Sequence, residues 1–225
     1  MLIEAITDLL PVALGIALSP FPVVAAVLVV GTPHARTTGP AFALGWLVGL
    51  TALTSVVVLV FSGADDAESS SRTIVDVLRV LAGLALFAGA ARKWRTRPRA
   101  GEIGPTPGWM ASIETMSAGR SLALGLGLGG ANPKNVAFAL AAASTIVTFG
   151  TTTADTVIAV AVFVVLASLS VIGPVVARLL LGERVAAPLD AVKGFMLANN
   201  NVILMVVFVL IGAKVFGAGI SGLTD

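Results

Sequence analysis

Six apolar runs, each long enough to cross the hydrocarbon core of a bilayer as a helix, dominate this sequence and leave only short polar breaks. They cover residues 3–30, 40–61, 73–91, 121–149, 156–181 and 195–216, approximately. A backbone in lipid must satisfy its own hydrogen bonds, which leaves helices or a closed barrel. The ten-residue alternation of a barrel strand is absent. The expected fold is therefore an all-α integral membrane protein with about six transmembrane helices. Only 12% of the residues are charged, whereas a soluble domain needs about a quarter to solvate its surface.

The same composition removes several functions. There is no cysteine and one histidine, so disulfides, thiolate chemistry, a zinc site and a His-based triad are not expected. No metal or cofactor is expected, and no nucleophile–base pair suggests an enzyme. No Gly-rich loop ends in Gly-Lys-Ser/Thr, so nucleotide hydrolysis is not expected. A formal net charge of +2 gives no reason to expect nucleic acid as a partner. The N-terminus carries Glu4 and Asp8 where a cleavable signal would be basic, so the first run is expected to stay as a helix.

The basic residues set an expected orientation. Arg92, Lys93, Arg95, Arg97 and Arg99 form the densest cationic run, which the positive-inside rule places in the cytoplasm. Counting spans from there puts both termini outside. His34, Arg36, Arg178, Arg184 and Lys193 then fall inside, and Asp65, Asp66 and Glu68 outside. After the basic run, a Gly/Pro connector leads to Trp109, Ile113 and Met116 at helical spacing. These read as a short amphipathic helix on the inner membrane surface, or as the first turns of the fourth span.

A shift of about 113 residues lays Ser19-Pro20-Phe21-Pro22 on Asn132-Pro133-Lys134-Asn135. With one residue of slip, Asp76-Val77-Leu78-Arg79 falls on Asp190-Ala191-Val192-Lys193. Three spans per half is an odd number, so the halves are expected to lie upside down to one another, as an inverted-topology 3+3 repeat. The expected organisation is a first repeat over 1–92, a basic cytoplasmic connector over 93–118 and a second repeat over 119–225.

The first and fourth helices are expected to break at these proline motifs, because proline removes a helical hydrogen bond and clashes with the turn before it. Such breaks survive in a membrane where protein or a water-filled cavity repairs them, and they build transport sites. The alternative is a pair of structural kinks. Lys134 favours a site: a cation near the middle of an apolar span costs about 2.5–3.5 kcal/mol or more. It could contact a polar or anionic ligand, with Asn132 and Asn135 beside it, or cap carbonyls freed by the break. The candidate transport residues are Lys134, Asn132, Pro133, Asn135, Ser19, Pro20 and Pro22. Asp76/Arg79 and Asp190/Lys193, each at i, i+3, read as interfacial ion pairs or gate latches. Arg36 in a tight turn, with Asn199 and Asn200 opening the last span, could line an inner mouth or serve topology and helix–helix bonding.

These residues carry a resemblance. Ala17-Leu18-Ser19-Pro20-Phe21-Pro22, Thr32-Pro33-His34-Ala35-Arg36 and Gly45-Trp46-Leu47-Val48-Gly49 resemble the first half of the glycopeptidolipid- and sulfolipid-addressing proteins of the GAP family. That family belongs to the lysine-exporter superfamily. Trp109-Met110, Gly119-Arg120, Asn132-Pro133-Lys134-Asn135 and the stretch from Asn200 to Lys214 are similar to its second half. The resemblance implies a six-helix inner-membrane transporter that exports a lipid or glycolipid toward the envelope. Amino-acid exporters of the superfamily usually carry Pro-Gly-Pro at the first break, and this chain has Ser-Pro-Phe-Pro. Three functions are left to weigh: export or flipping of a lipid, export of a small polar solute such as an amino acid, and an accessory role beside a larger lipid transporter. A homodimer is a further expectation.

Overall fold

The prolines and glycines of the sequence cut the apolar runs into separate helical pieces. The structure, a computed structural model, describes residues 2–65, 69–97, 112–113, 115–149 and 152–224. The helices are α1 (Leu2–Ala17), α2 (Pro20–Val30), α3 (Ala35–Asp65), α4 (Ser69–Arg95), α5 (Ala118–Gly130), α6 (Pro133–Phe149), α7 (Thr153–Leu181) and α8 (Ala186–Thr224), with a 3-10 turn, Gly182–Val185, between the last two. Gly182 opens that turn at φ 62°, a conformation in which a side chain would be strained. Among the described residues there is no strand.

By length and composition, Ala35–Ser62 and the continuous stretch Thr153–Thr224 are candidate membrane spans. The pair Ile3–Ala17 and Pro20–Val30, bent by 59°, makes a third if it is one span. The 13-residue α5 and the 17-residue α6 are each shorter than the roughly 20 residues a crossing needs. The exterior is apolar, as a membrane protein's is: Leu59, Val60, Leu180 and Leu210 are all more than half exposed.

Helix α3 lies at the centre, with Phe42, Trp46 and Leu50 completely buried. It packs along α5, α6 and α7, while α1 packs along α7 and α6, and α4 along α8. The α3–α5 crossing is made by backbone on backbone. A Cβ on Gly45 would overlap the Leu122 carbonyl oxygen, and one on Gly125 would overlap that of Phe42. Gly49 faces Leu126 O at 2.5 Å in the same sense, and Gly129 faces Trp46 O at 2.6 Å. Two small-xxx-small stripes therefore meet each other, which lets the helices approach closely without a hydrophobic drive between them. Gly127 faces nothing within 4 Å. The glycine-rich face thus serves contact within the chain, a choice the sequence left open.

Several expectations need adjusting. The last helix begins at Ala186, ahead of the apolar run, so Asn199 and Asn200, expected where the last span opens, lie well inside α8. Asp76 and Arg79 likewise sit a turn or more inside α4. Trp109 and most of the connector lie outside the described residues. Of the expected surface helix, Ile113 is buried, and Ser117 is the N-cap of α5, accepting a hydrogen bond from the Arg120 amide.

Candidate functional site

Both expected breaks are present, and each starts its second helix with proline at the first position, where no amide is needed for the ladder. At the first, Ser19 is buried and stands at the cap of α2 without capping it; its hydroxyl donates instead to Gly15 O at 3.3 Å. Pro20 and Pro22 are buried in the same turn.

At the second break the side chains take over the backbone's unmade bonds. Asn132 Oδ1 accepts the Lys134 amide at 3.1 Å and so caps α6. Asn135, completely buried, donates through Nδ2 to Leu128 O at 3.0 Å and Gly129 O at 2.9 Å, carbonyls that the end of α5 leaves free. Asparagine therefore performs the carbonyl capping that Lys134 could have performed. The Lys134 ammonium is enclosed with no hydrogen-bond partner among the described residues; its neighbour is the Phe138 ring, 5.3 Å from Nζ to the centroid. That ring reaches across to α1: a Cβ on Gly15, one turn before Ser19, would sit 2.9 Å from Phe138 Cε1. Phe138 thus links the two breaks in space.

The two i, i+3 pairs form, in different surroundings. Arg79 meets Asp76 at 2.5 Å with side chains only 18% and 8% exposed, and the guanidinium lies 5.2 Å from the Phe61 ring. Lys193 meets Asp190 at 2.5 Å, but the carboxylate is 65% exposed. Lys193 and Asp190 border a cavity of about 550 Å³ between the end of α2, the 3-10 turn and the start of α8. Arg79 borders a cleft of about 20 Å³ with Lys214, Ser144 and Thr145. A third cavity, about 500 Å³ and mainly apolar, opens between α3 and α7 and is lined by residues such as Val58, Leu59, Val157 and Val164. Lys134 borders none of these three cavities.

The other candidates are placed apart. Arg36 is exposed in the first turn of α3. Asn199 bonds Phe195 O, and Asn200 bonds Asn201, whose amide reaches Thr96 O at 2.8 Å at the end of α4. Of the triplet, Asn201 alone ties α8 to the end of α4, and none of the three borders the 550 Å³ cavity.

Two features escaped the sequence reading. Trp46 Nε1 donates to Ser168 Oγ at 3.0 Å, a buried tie between α3 and α7 whose partner lies 122 residues away. Arg178, read only as a topology determinant, donates through Nε to Val30 O at 3.1 Å and pairs with Glu183. That hydrogen bond holds the Glu183 carboxyl below its ordinary range.

Searches of curated proteins and of solved structures found no match. A family model does match, described as SfLAP: Sap, sulfolipid-1-addressing protein, over residues 9–221. Because that match covers most of the chain, both breaks included, the chain belongs to the sulfolipid-1-addressing protein family.

Proposed function

We propose that this protein moves a lipid or glycolipid with an anionic headgroup across the bacterial cytoplasmic membrane toward the envelope. The observation that carries the reading is the enclosed Lys134 ammonium, unpartnered at a break between α5 and α6 and joined through Phe138 to the other broken pair. An ionisable group held at such cost within a membrane helix marks a substrate path by default. Its missing counter-charge is the headgroup. The ammonium borders none of the three cavities described above, so this reading requires the breaks to part during transport.

The architecture proposed for this task is six spans, with α1/α2 and α5/α6 as broken ones, in two inverted halves. The helix pairing supports it. Exchanging α1–α4 with α5–α8 turns the α3–α5 pair into α7–α1 and the α3–α6 pair into α7–α2, and it maps α4–α8 and α3–α7 onto themselves. All of these pairs occur. In this reading the last turn of α4, which carries Arg92, Lys93 and Arg95, lies inside by the positive-inside rule, and both termini lie outside.

The apolar cavity between α3 and α7 favours a lipid over a small solute, since its walls offer an acyl chain contact and a hydrated solute little. Reconstitution of the chain alone in liposomes containing a fluorescent sulfated glycolipid decides the matter. Translocation by the native chain and its loss in Lys134→Ala are expected. Normal translocation by Lys134→Ala would overturn the headgroup site. No translocation without an added lipid pump would replace transport by the accessory role.

A further inference from the structure

The 550 Å³ cavity beside the 3-10 turn has no part in the Lys134 site, and its two cations are arranged unusually. Arg178 and Lys193 have side chains only 15% and 29% exposed, while their carboxylate partners Glu183 and Asp190 are 82% and 65% exposed. The cations are thus held in the wall and the anions stand in water. Arg178 is anchored through Nε on the Val30 carbonyl, which α2 leaves free at its end, and its Nη1 is enclosed without a partner among the described residues.

We propose that this cleft is a loading site for the oxyanion head of an amphiphile, a sulfate or phosphate ester, gripped by Arg178 and Lys193 in exchange for Glu183 and Asp190. The inference rests on the lipid-export reading. Exposed ion pairs contribute little, so the two carboxylates are weakly held and exchangeable. A sulfate or phosphate offers several acceptor oxygens and engages a guanidinium bidentately, which a single lysine ammonium does not reproduce. Two carboxylates balance two cations by count, so exchange of hydrogen bonds, and not bare attraction, selects the ligand. Val27, Leu28 and Leu189 give the cleft an apolar wall beside the cations, which suits an amphiphile more than a hydrated ion.

The repeat supplies the matching exit. At the same shift of about 113 residues Val27, Leu28, Gly31 and Thr32 fall on Leu140, Ala141, Ser144 and Thr145, and Lys193 falls on Arg79 with the one-residue slip. Those counterparts line the cleft of about 20 Å³, room for about a single water. It is closed over by Lys214, Val215 and Ala218 of α8, which continues to Thr224 while α4 stops at Arg95. The loading cleft is open and its counterpart shut.

The test uses the full chain in nanodiscs of phosphatidylcholine doped with phosphatidic acid, with retained lipid read by native mass spectrometry. The native chain is expected to retain phosphatidic acid over phosphatidylcholine, and Arg178→Gln with Lys193→Gln to lower that preference about tenfold or more. Glu183→Gln with Asp190→Asn is expected to raise it, and Arg178→Lys to fall between. Unchanged preference in the double glutamine variant, eluting as the native chain does, would overturn the site. Titration with inorganic sulfate separates the sources: sulfate binding without any preference for phosphatidic acid would overturn the amphiphile assignment. Translocation by the native chain and by Lys134→Ala is measured separately, so export can survive failure of this cleft.

Discussion

The two halves break a helix at the same place and repair it by different means. At the first break the hydroxyl of Ser19, at the cap of α2, donates back to Gly15 O of α1 and the prolines are buried, which leaves a bend of 59° and no unpartnered side-chain polar group among the described residues there. At the second, Asn132 and Asn135 make three hydrogen bonds to backbone, and Lys134 is left with none. The contrast extends outward. The α3–α5 crossing is glycine against backbone, whereas Val12 and Ile16 of α1 occupy the positions that Gly125 and Gly129 hold in α5. The Asp76–Arg79 pair is buried and Asp190–Lys193 is open to solvent. The two segments share their proline breaks and i, i+3 pairs, and the enclosed cation without a partner among the described residues, Lys134, stands at the second break.

Each difference can be broken separately. The largest effect is expected at the glycine crossing: Gly125→Leu drives a side chain into the α3 backbone and costs upward of about 3 kcal/mol. Gly127→Ala, with nothing within 4 Å, is expected to be neutral or to stabilise by up to about 1 kcal/mol. Thermal unfolding in detergent separates the two, and equal losses would contradict the crossing.

The buried ion pair comes next. Asp76→Asn leaves Arg79 uncompensated and is expected to cost about 3–5 kcal/mol. Asp190→Asn is expected to cost under about 1 kcal/mol, as exposed pairs do. Denaturant midpoints measured side by side would show whether the halves differ in this way.

Lys134→Met is expected to act in opposite directions on two measurements. Removing an unpartnered cation should raise stability by up to about 2.5–3.5 kcal/mol while lipid translocation is lost. A loss of both would mean that the lysine holds the fold together.

The smallest contrast concerns the two repairs. Asn135→Leu frees two carbonyls and is expected to cost about 2 kcal/mol, against about 0.5 kcal/mol for Ser19→Ala. Amide hydrogen exchange localised to the start of α6 or of α2 would assign each loss to its break.

Much of the fold was legible because lipid leaves a chain few choices. Long apolar runs had to be helices, and the polar residue before proline marked the breaks at Ser19-Pro20 and Asn132-Pro133, whereas Pro11 and Pro174, among apolar neighbours, sit inside continuous helices. Helix ends were less legible. α8 starts at Ala186, nearer the 3-10 turn than hydropathy suggested, because a helix bonds its own backbone and need not stop where the apolar run does. The pairs Asp76/Arg79 and Asp190/Lys193 were visible from i, i+3 spacing, yet their burial was not.

The sequence by itself determined the helical membrane class, the two broken helices, the family and the residues at the second break. Those follow from local chemistry: hydropathy, proline and a cation among apolar neighbours. Only the tertiary structure decided that Asn135 caps the carbonyls, that Gly125 and not Gly127 meets α3, that Trp46 bonds Ser168, and that Arg178 faces a cavity. Spacing along a helix states which residues share a face. What that face meets is set by how helices far apart in the chain cross, and here it leaves Lys134 the one group at its break without a partner for its charge.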